Sequence, residues 1–242
     1  MRLDNLPSTG QELLKYIALL LMTIDHTGAI LYGYYEGLHL STVLGRLVFP
    51  IFAYLTIYNY LYHTKDKKRY ITRLFMFAFI SQLPYFFAFY EIHGRFTLNV
   101  LFTLGFGLGY IYLIEEYISK AERRLDRIMY GFILSFIIMV IMGFWGDFSI
   151  LGVLTIIGFY LFLKNPSTAI LLSLGTVIFL LNIEMNIYSG IAGLLSLFMI
   201  YLFNRNDIGV RRILPGVGFY LYYPLHLLAL IYCHYFFILT SQ

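Results

Sequence analysis

Charge is what this sequence most lacks. Aspartate, glutamate, lysine and arginine make up 12% of its 242 residues, about half the share found in soluble domains. So few charges cannot cover a water-facing surface on a chain this long, and the surrounding solvent is expected to be lipid. Cysteine is nearly absent too. Cys233 stands alone, which excludes an intramolecular disulfide framework and any Cys-only metal site. There is no phosphate-cradling glycine-rich loop, no HExxH and no serine nucleophile elbow. No small-residue cleavage site follows the first apolar run, so that run is expected to be retained as a helix. No soluble domain, internal repeat or low-complexity tract is visible. What the chain has in plenty is apolar: 60% of residues are hydrophobic and 19% aromatic. Much of the Tyr and Phe is expected at the membrane interfaces and in helix packing.

A helix that crosses a bilayer needs about 20 apolar residues. Nine candidates follow, at roughly 12–34, 41–62, 71–90, 98–116, 127–144, 148–163, 168–183, 187–203 and 215–238. The expectation is an all-α, polytopic helical bundle of about nine transmembrane helices, a single domain over 1–242. The sixth to eighth candidates are short, as tilted or broken spans would be. Pro50, Pro84 and Pro224 fall inside spans, where each frees a carbonyl and kinks the helix. With the N-terminus inside and the C-terminus outside, every lysine and arginine except Arg46 and Arg95 falls on the inner side. That set includes Arg2, Lys15, Lys164, Arg205, Arg211, Arg212 and the clusters at 65–73 and 120–127. This is the positive-inside pattern. It accounts for the net charge of +4 without a nucleic-acid partner, and none is expected.

Polar groups inside spans are costly, so each needs a reason. His26 stands 14 residues beyond Glu12, or about 21 Å along a helix, in the outer half of the membrane. Its neighbour Asp25 points about 100° away from it. Arg46, roughly 8 Å below the outer end of the second span, lies at a similar depth and is the expected ion-pair partner of Asp25. That pairing leaves His26 free for proton transfer near neutral pH. Gln82, Asn99, Asp147, Tyr222, Tyr223 and His226 are further candidates for the same cavity. The plainer alternatives are that Gln82 and His226 only bond a neighbouring helix, and that Asp147 caps the helix after it. His39, His63, His93 and His234 fall in loops or near membrane surfaces and are assigned no role. Gly105, Gly107 and Gly109 mark close helix packing. Arg69 and Arg73, four apart, share a helix face that suits phosphates. Lys67 and Lys68 stand beside them, although the cluster also reads as topogenic charge touching anionic membrane lipid.

At these same residues the chain resembles the TraX family, the F-pilin acetylases. The resemblance runs through Leu14–Gly28 with its Ile-Asp-His, then Gly45-Arg46-Leu47-Val48-Phe49-Pro50-Ile51-Phe52-Ala53. It continues in Arg73–Pro84 with Ser81-Gln82-Leu83-Pro84, and in Asn99-Val100-Leu101-Phe102-Thr103-Leu104. Gly146-Asp147 with Gly152-Val153-Leu154 follows, then Phe219–His226 with Tyr-Pro-Leu-His. The family is distantly similar to multi-span membrane acyltransferases, which take acetyl-CoA from the cytoplasm and modify an acceptor on the far side. The resemblance implies an acetyl-CoA-dependent acetyltransferase of the bacterial cytoplasmic membrane. Its acceptor would be extracytoplasmic: the N-terminal amine of a pilin, another peptide, or another amine or hydroxyl. It implies that His26 is the essential histidine, acting as general base or taking the acetyl group itself. Asp25 and Arg46 would shape the site, Asn99 or Tyr222 would donate to the oxyanion, and Arg69 and Arg73 with Lys67 or Lys68 would hold the donor's phosphates. No metal is implied. Two readings outside enzymology stay open. Intramembrane Asp, His and Arg also serve ion relays in small transporters or proton-coupled carriers, although no inverted repeat is evident. The third is a membrane scaffold of a secretion or conjugation apparatus.

Overall fold

The computed structural model describes residues 8–32, 40–184, 186–205, 214 and 216–240. Arg2, Arg211, Arg212, His39 and both chain ends, with the sides expected for the termini, lie outside the described residues. Within them the chain is helical, with only an isolated bridge between Leu98 and Gly146. The helices are α1 (Ser8–Tyr32), α2 (Leu40–Gly45), α3 (Val48–Tyr58), α4 (Lys67–His93) and α5 (Val100–Glu116). They continue as α6 (Arg124–Trp145), α7 (Ser149–Lys164), α8 (Thr168–Ile183), α9 (Ile187–Arg205) and α10 (Gly216–Thr240).

Six stretches are long and apolar enough to cross a membrane: Gly10–Leu31, Leu40–His63, Lys67–Tyr90, Arg124–Trp145, Ile187–Arg205 and Gly216–Phe236. α5, α7 and α8 have 17, 16 and 16 residues. They rise only about 24–26 Å at 1.5 Å per residue, short of the roughly 30 Å hydrocarbon core. The structure thus supports six of the nine expected spans by length. The outward faces fit a lipid solvent. α6 exposes Phe132, Ile133, Phe136 and Phe144 and buries only Ile138 and Met142, a face too apolar for a water-soluble monomer.

The second span is not continuous. It breaks at Arg46–Leu47, whose amide N–H groups reach back only to Val43 and Leu44. Pro50 then falls in the first turn of α3, where its missing N–H leaves no bond unmade, so this proline does not kink a helix. Pro84 and Pro224 do lie inside α4 and α10. α3 is the hub of the bundle, packed on α1, α5, α7 and α9. Every residue of α3 is buried except Phe52. At its end the chain tightens into a π-helical turn, Asn59–His63, a departure that recurs at functional sites. Asp66 then caps α4, accepting from the Arg69 N–H at 2.9 Å. Of the three glycines expected at close packing, Gly107 faces Ile156 and Gly105 faces the Phe75 ring, while Gly109 has no neighbour.

Candidate functional site

Besides a larger, mostly apolar cavity lined by α7, α8 and α9, two cavities rich in polar side chains lie toward opposite ends of the bundle. The first is lined by the opening turns of α1 (Gln11, Glu12, Lys15), the π turn (Asn59, His63), the start of α4 (Tyr70, Arg73) and the start of α10 (Phe219, Tyr220), and holds about 540 Å³. This end carries the basic turn at 65–69. The second is lined by the C-terminal half of α1 (Met22, Asp25, His26), the α2–α3 break (Gly45, Arg46), the end of α4 (Tyr85, Phe89, His93) and the α6–α7 turn (Asp147, Ser149). It holds about 580 Å³. Phe52 lines both, which explains why it alone on α3 escapes burial.

In the second cavity His26 meets α10. Its Nδ1 lies 2.7 Å from His226 Nε2, and His226 Nδ1 lies 2.9 Å from the Tyr222 carbonyl. Phe89 and Tyr223 pack edge-on to the His26 ring, with centroids 5.0 and 6.2 Å away. The sequence gives no direct sign of this pair, since the two histidines are 200 residues apart; only the helical depth of each hints at it.

Asp25 and Arg46 both line the cavity but are not bonded to each other as the sequence reading expects. Arg46 Nε donates to the Thr42 carbonyl at 3.2 Å. The Asp25 carboxyl sits where a Cβ on Gly45 would be, and its Oδ1 is buried without a hydrogen-bond partner among the described residues. The helix break at Arg46 turns the guanidinium back along its own helix and brings Gly45 against Asp25.

Asn99 and Tyr222 have their donors engaged elsewhere. Asn99, fully buried, caps α5 by accepting from the Leu101 N–H at 3.0 Å. Its Nδ2 donates to the Ala78 carbonyl at 2.8 Å and to Gln82 Oε1 at 2.9 Å. Gln82 Nε2 in turn donates to the Thr97 carbonyl, so Gln82 takes its helix-bridging role. Thr23 gives its hydroxyl proton to the Leu19 carbonyl. The Tyr222 hydroxyl, 2.6 Å from Thr23 Oγ1, is therefore the donor in that contact. Tyr223 does line the second cavity.

Asp147 does not cap α7, whose N-cap residue is Phe148 with no side-chain cap. It faces His93 Nε2 at 3.8 Å instead, and Tyr85 Oη stands 3.2 Å from the same nitrogen. Burial pushes the Asp147 carboxyl upward, with His93, Tyr85 and Arg46 opposing that shift. Beside it Ser149 holds φ +48°, a region sparsely used by side-chain-bearing residues. His93, Arg95, Ser149 and Glu184 belong to this cavity without having been singled out in the sequence. Their positions at helix ends and turns hid them, because a span-based reading ranks residues by membrane depth.

Among the four basic candidates at the other end, only Arg73 lines the first cavity. Its Nε and the Nε2 of Gln11 are buried without partners among the described residues. Arg69 and Lys68 are exposed. Lys67 bonds Glu115 Oε2 at 3.2 Å. Glu115 also accepts from Tyr60, Tyr160 and Lys164 and so ties the π turn, α4, α5 and α7 together.

A protein-family model described as TraX protein matches residues 10–234. A probable fimbrial assembly protein, FimC of serogroup H1, from Dichelobacter nodosus is 28% identical over 238 residues, covering 90% of this chain and 92% of that protein. An uncharacterized protein of Rickettsia prowazekii (strain Madrid E) is 32% identical over 110 residues, 46% of this chain and only 40% of that protein's length. No solved structure matches. With nearly the whole chain inside the family model, over the same segments that form the two cavities, this protein belongs to the TraX family.

Proposed function

We propose that the chain is a membrane-embedded acetyltransferase, moving an acetyl group from acetyl-CoA on the basic side of a bacterial cytoplasmic membrane to an amine or hydroxyl acceptor on the other side. The observation that carries this reading is the pair of cavities that share Phe52 in their linings. A donor made in the cytoplasm and an acceptor outside it require such an arrangement.

The residues of the first cavity fit an anionic donor. Arg73 Nε and Gln11 Nε2 are buried donors in want of acceptors, and a phosphate oxygen supplies them. Arg73 is thus the phosphate-holding residue, with Lys68 and Arg69 adding attraction at the entrance. In the second cavity His26 takes the proton from the acceptor's N–H or O–H as that atom bonds to the thioester carbonyl carbon. The C–S bond then breaks, and His26 returns the proton to the leaving thiolate. The partnerless Oδ1 of Asp25 offers a hydrogen-bond acceptor to the incoming N–H or O–H. The Dichelobacter nodosus relative is named a probable fimbrial assembly protein, which favours a pilus subunit as acceptor.

The test uses the full chain purified in detergent with acetyl-CoA and a peptide amine, reading CoA release. Wild type is expected to turn over. His26→Ala is expected to lose roughly 10²–10⁴-fold in rate while melting normally and still binding acetyl-CoA. A folded His26→Ala protein that keeps more than about a tenth of the rate would sink this mechanism, given that range.

A further inference from the structure

The contact between His26 and His226 fixes more than their separation. A carbonyl oxygen only accepts, so His226 Nδ1, 2.9 Å from the Tyr222 carbonyl, must carry a proton. In a neutral imidazole the other nitrogen is then an acceptor. His226 Nε2 is therefore the acceptor in the 2.7 Å contact, and His26 Nδ1 is the donor. That leaves the lone pair of His26 on Nε2, which has no hydrogen-bond partner among the described residues, on a ring that lines the second cavity. The chain runs from a backbone carbonyl through one imidazole to the next, and it ends at a free basic nitrogen.

We infer that His226 is a positioning residue: it holds His26 in the Nδ1–H form and so makes Nε2 the atom that takes the acceptor's proton. The inference rests on the acetyltransferase reading for its kinetic consequence, though not for the tautomer itself. Several features support the assignment. His226 is buried, and it stacks at 5.2 Å on Tyr222, whose hydroxyl is tied to Thr23 on α1. Its ring is therefore held from two sides. When Nε2 gains a proton, the imidazolium keeps its Nδ1–H bonded to His226 Nε2, which stabilises the charge in a place poor in water. For two neutral rings, the Tyr222 carbonyl and the 2.7 Å contact together admit a single consistent assignment.

Two substitutions separate positioning from packing. His226→Gln keeps an acceptor near the place of Nε2, and His226→Phe keeps the ring and loses it. In full-length protein carrying ¹⁵N-labelled histidine, His26 is expected to show the Nδ1–H tautomer in wild type and in His226→Gln, and a mixture in His226→Phe. In acetyl transfer, His226→Gln is expected to stay close to wild type. His226→Phe is expected to lose at least about tenfold in kcat with KM for acetyl-CoA unchanged, a part of what a positioned base contributes. An Nε2–H signal for His26 in wild type overturns the assignment. So does a folded His226→Phe protein with wild-type kcat, or a His226→Gln protein that falls as far as His226→Phe. If wild type transfers no acetyl group to any acceptor, the enzymatic reading fails, and the ¹⁵N measurement still decides the tautomer.

Discussion

Replacing Asn99 by alanine separates a structural role from a catalytic one. The side chain makes three bonds: Oδ1 accepts from the Leu101 N–H, and Nδ2 donates to the Ala78 carbonyl and to Gln82 Oε1. Losing an N-cap of this kind costs about 1 kcal/mol. The Leu101 N–H it strands is buried, and an orphaned buried donor costs about 1–3 kcal/mol. The two figures overlap, since each counts the same N–H, and roughly 2 kcal/mol is the sensible total. The other partners are not stranded. Gln82 Oε1 keeps the Asn99 main-chain N–H at 3.1 Å, and the Ala78 carbonyl sits inside α4. For a chain of this length the loss lowers Tm by about 4–8 °C. Asn99→Ser retains a capping hydroxyl and should fall least. Asn99→Asp keeps the cap but sets a carboxylate against Gln82 Oε1, so it should fall at least as far as alanine. The assay is thermal melting in detergent, alongside acetyl transfer well below the lowest midpoint. If Asn99→Ala melts with wild type while its rate drops 10²-fold or more, the loss typical of an oxyanion donor, the capping account is wrong.

At the basic end, Arg73→Ala is expected to weaken acetyl-CoA binding roughly 10- to 10²-fold, the worth of a charged hydrogen bond, as read by titration calorimetry. Arg69→Ala should change it far less, because Arg69 stays at the exposed rim; equal losses would mean that the phosphates bind outside the cavity. Gly45→Ala sets a helix gain of about 1 kcal/mol against an overpacking cost of about 1–3 kcal/mol where its Cβ meets the Asp25 carboxyl. It should melt no higher than wild type, and adding Asp25→Ala should release the helix gain; a Gly45→Ala protein more stable than wild type would show that Asp25 yields freely.

How much of this was legible in the sequence depends on the kind of interaction. The first helix, the apolar bundle and the position of His26 along α1 follow from hydropathy and rise per residue, which are local properties. The break at Arg46–Leu47 was hidden because the run from 41 to 62 is apolar enough overall to read as one span, and hydropathy is indifferent to whether a helix is continuous. That break undid the expected Asp25–Arg46 bond: depth along an ideal helix put the two together, and a turned backbone aimed the guanidinium at Thr42. Asn99 and Gln82 looked alike as costly intramembrane amides. Only their mutual bonds show that each answers the other. The short helices α5, α7 and α8 read as spans from their apolar runs, and the charge alternation that supports the count says little about length. Glu115 drew no notice in the sequence, yet four donors from three other elements converge on it, a pattern set by tertiary packing alone.

Phe52 is where the two-cavity reading is most exposed to test. Its ring is the shared wall of both cavities, in a helix otherwise buried throughout. A larger ring there narrows the passage without touching Arg73 or His26. Phe52→Trp is therefore expected to leave acetyl-CoA affinity intact and to lower kcat by roughly 10²-fold, the cost of holding reacting atoms about 1 Å out of place. Phe52→Ala removes the wall. Its stability cost should stay below the 3–5 kcal/mol of a fully buried phenylalanine, because the ring already borders open space on both sides. The measurement is acetyl-CoA binding by calorimetry beside turnover, with melting as the control. If Phe52→Trp turns over like wild type, the donor does not pass this ring and the cavities serve separate ends. If instead wild type transfers no acetyl group, and Phe52→Ala in liposomes leaks protons that wild type holds back, the ring is a gate between two aqueous vestibules. The carrier reading would then take the place of the enzyme.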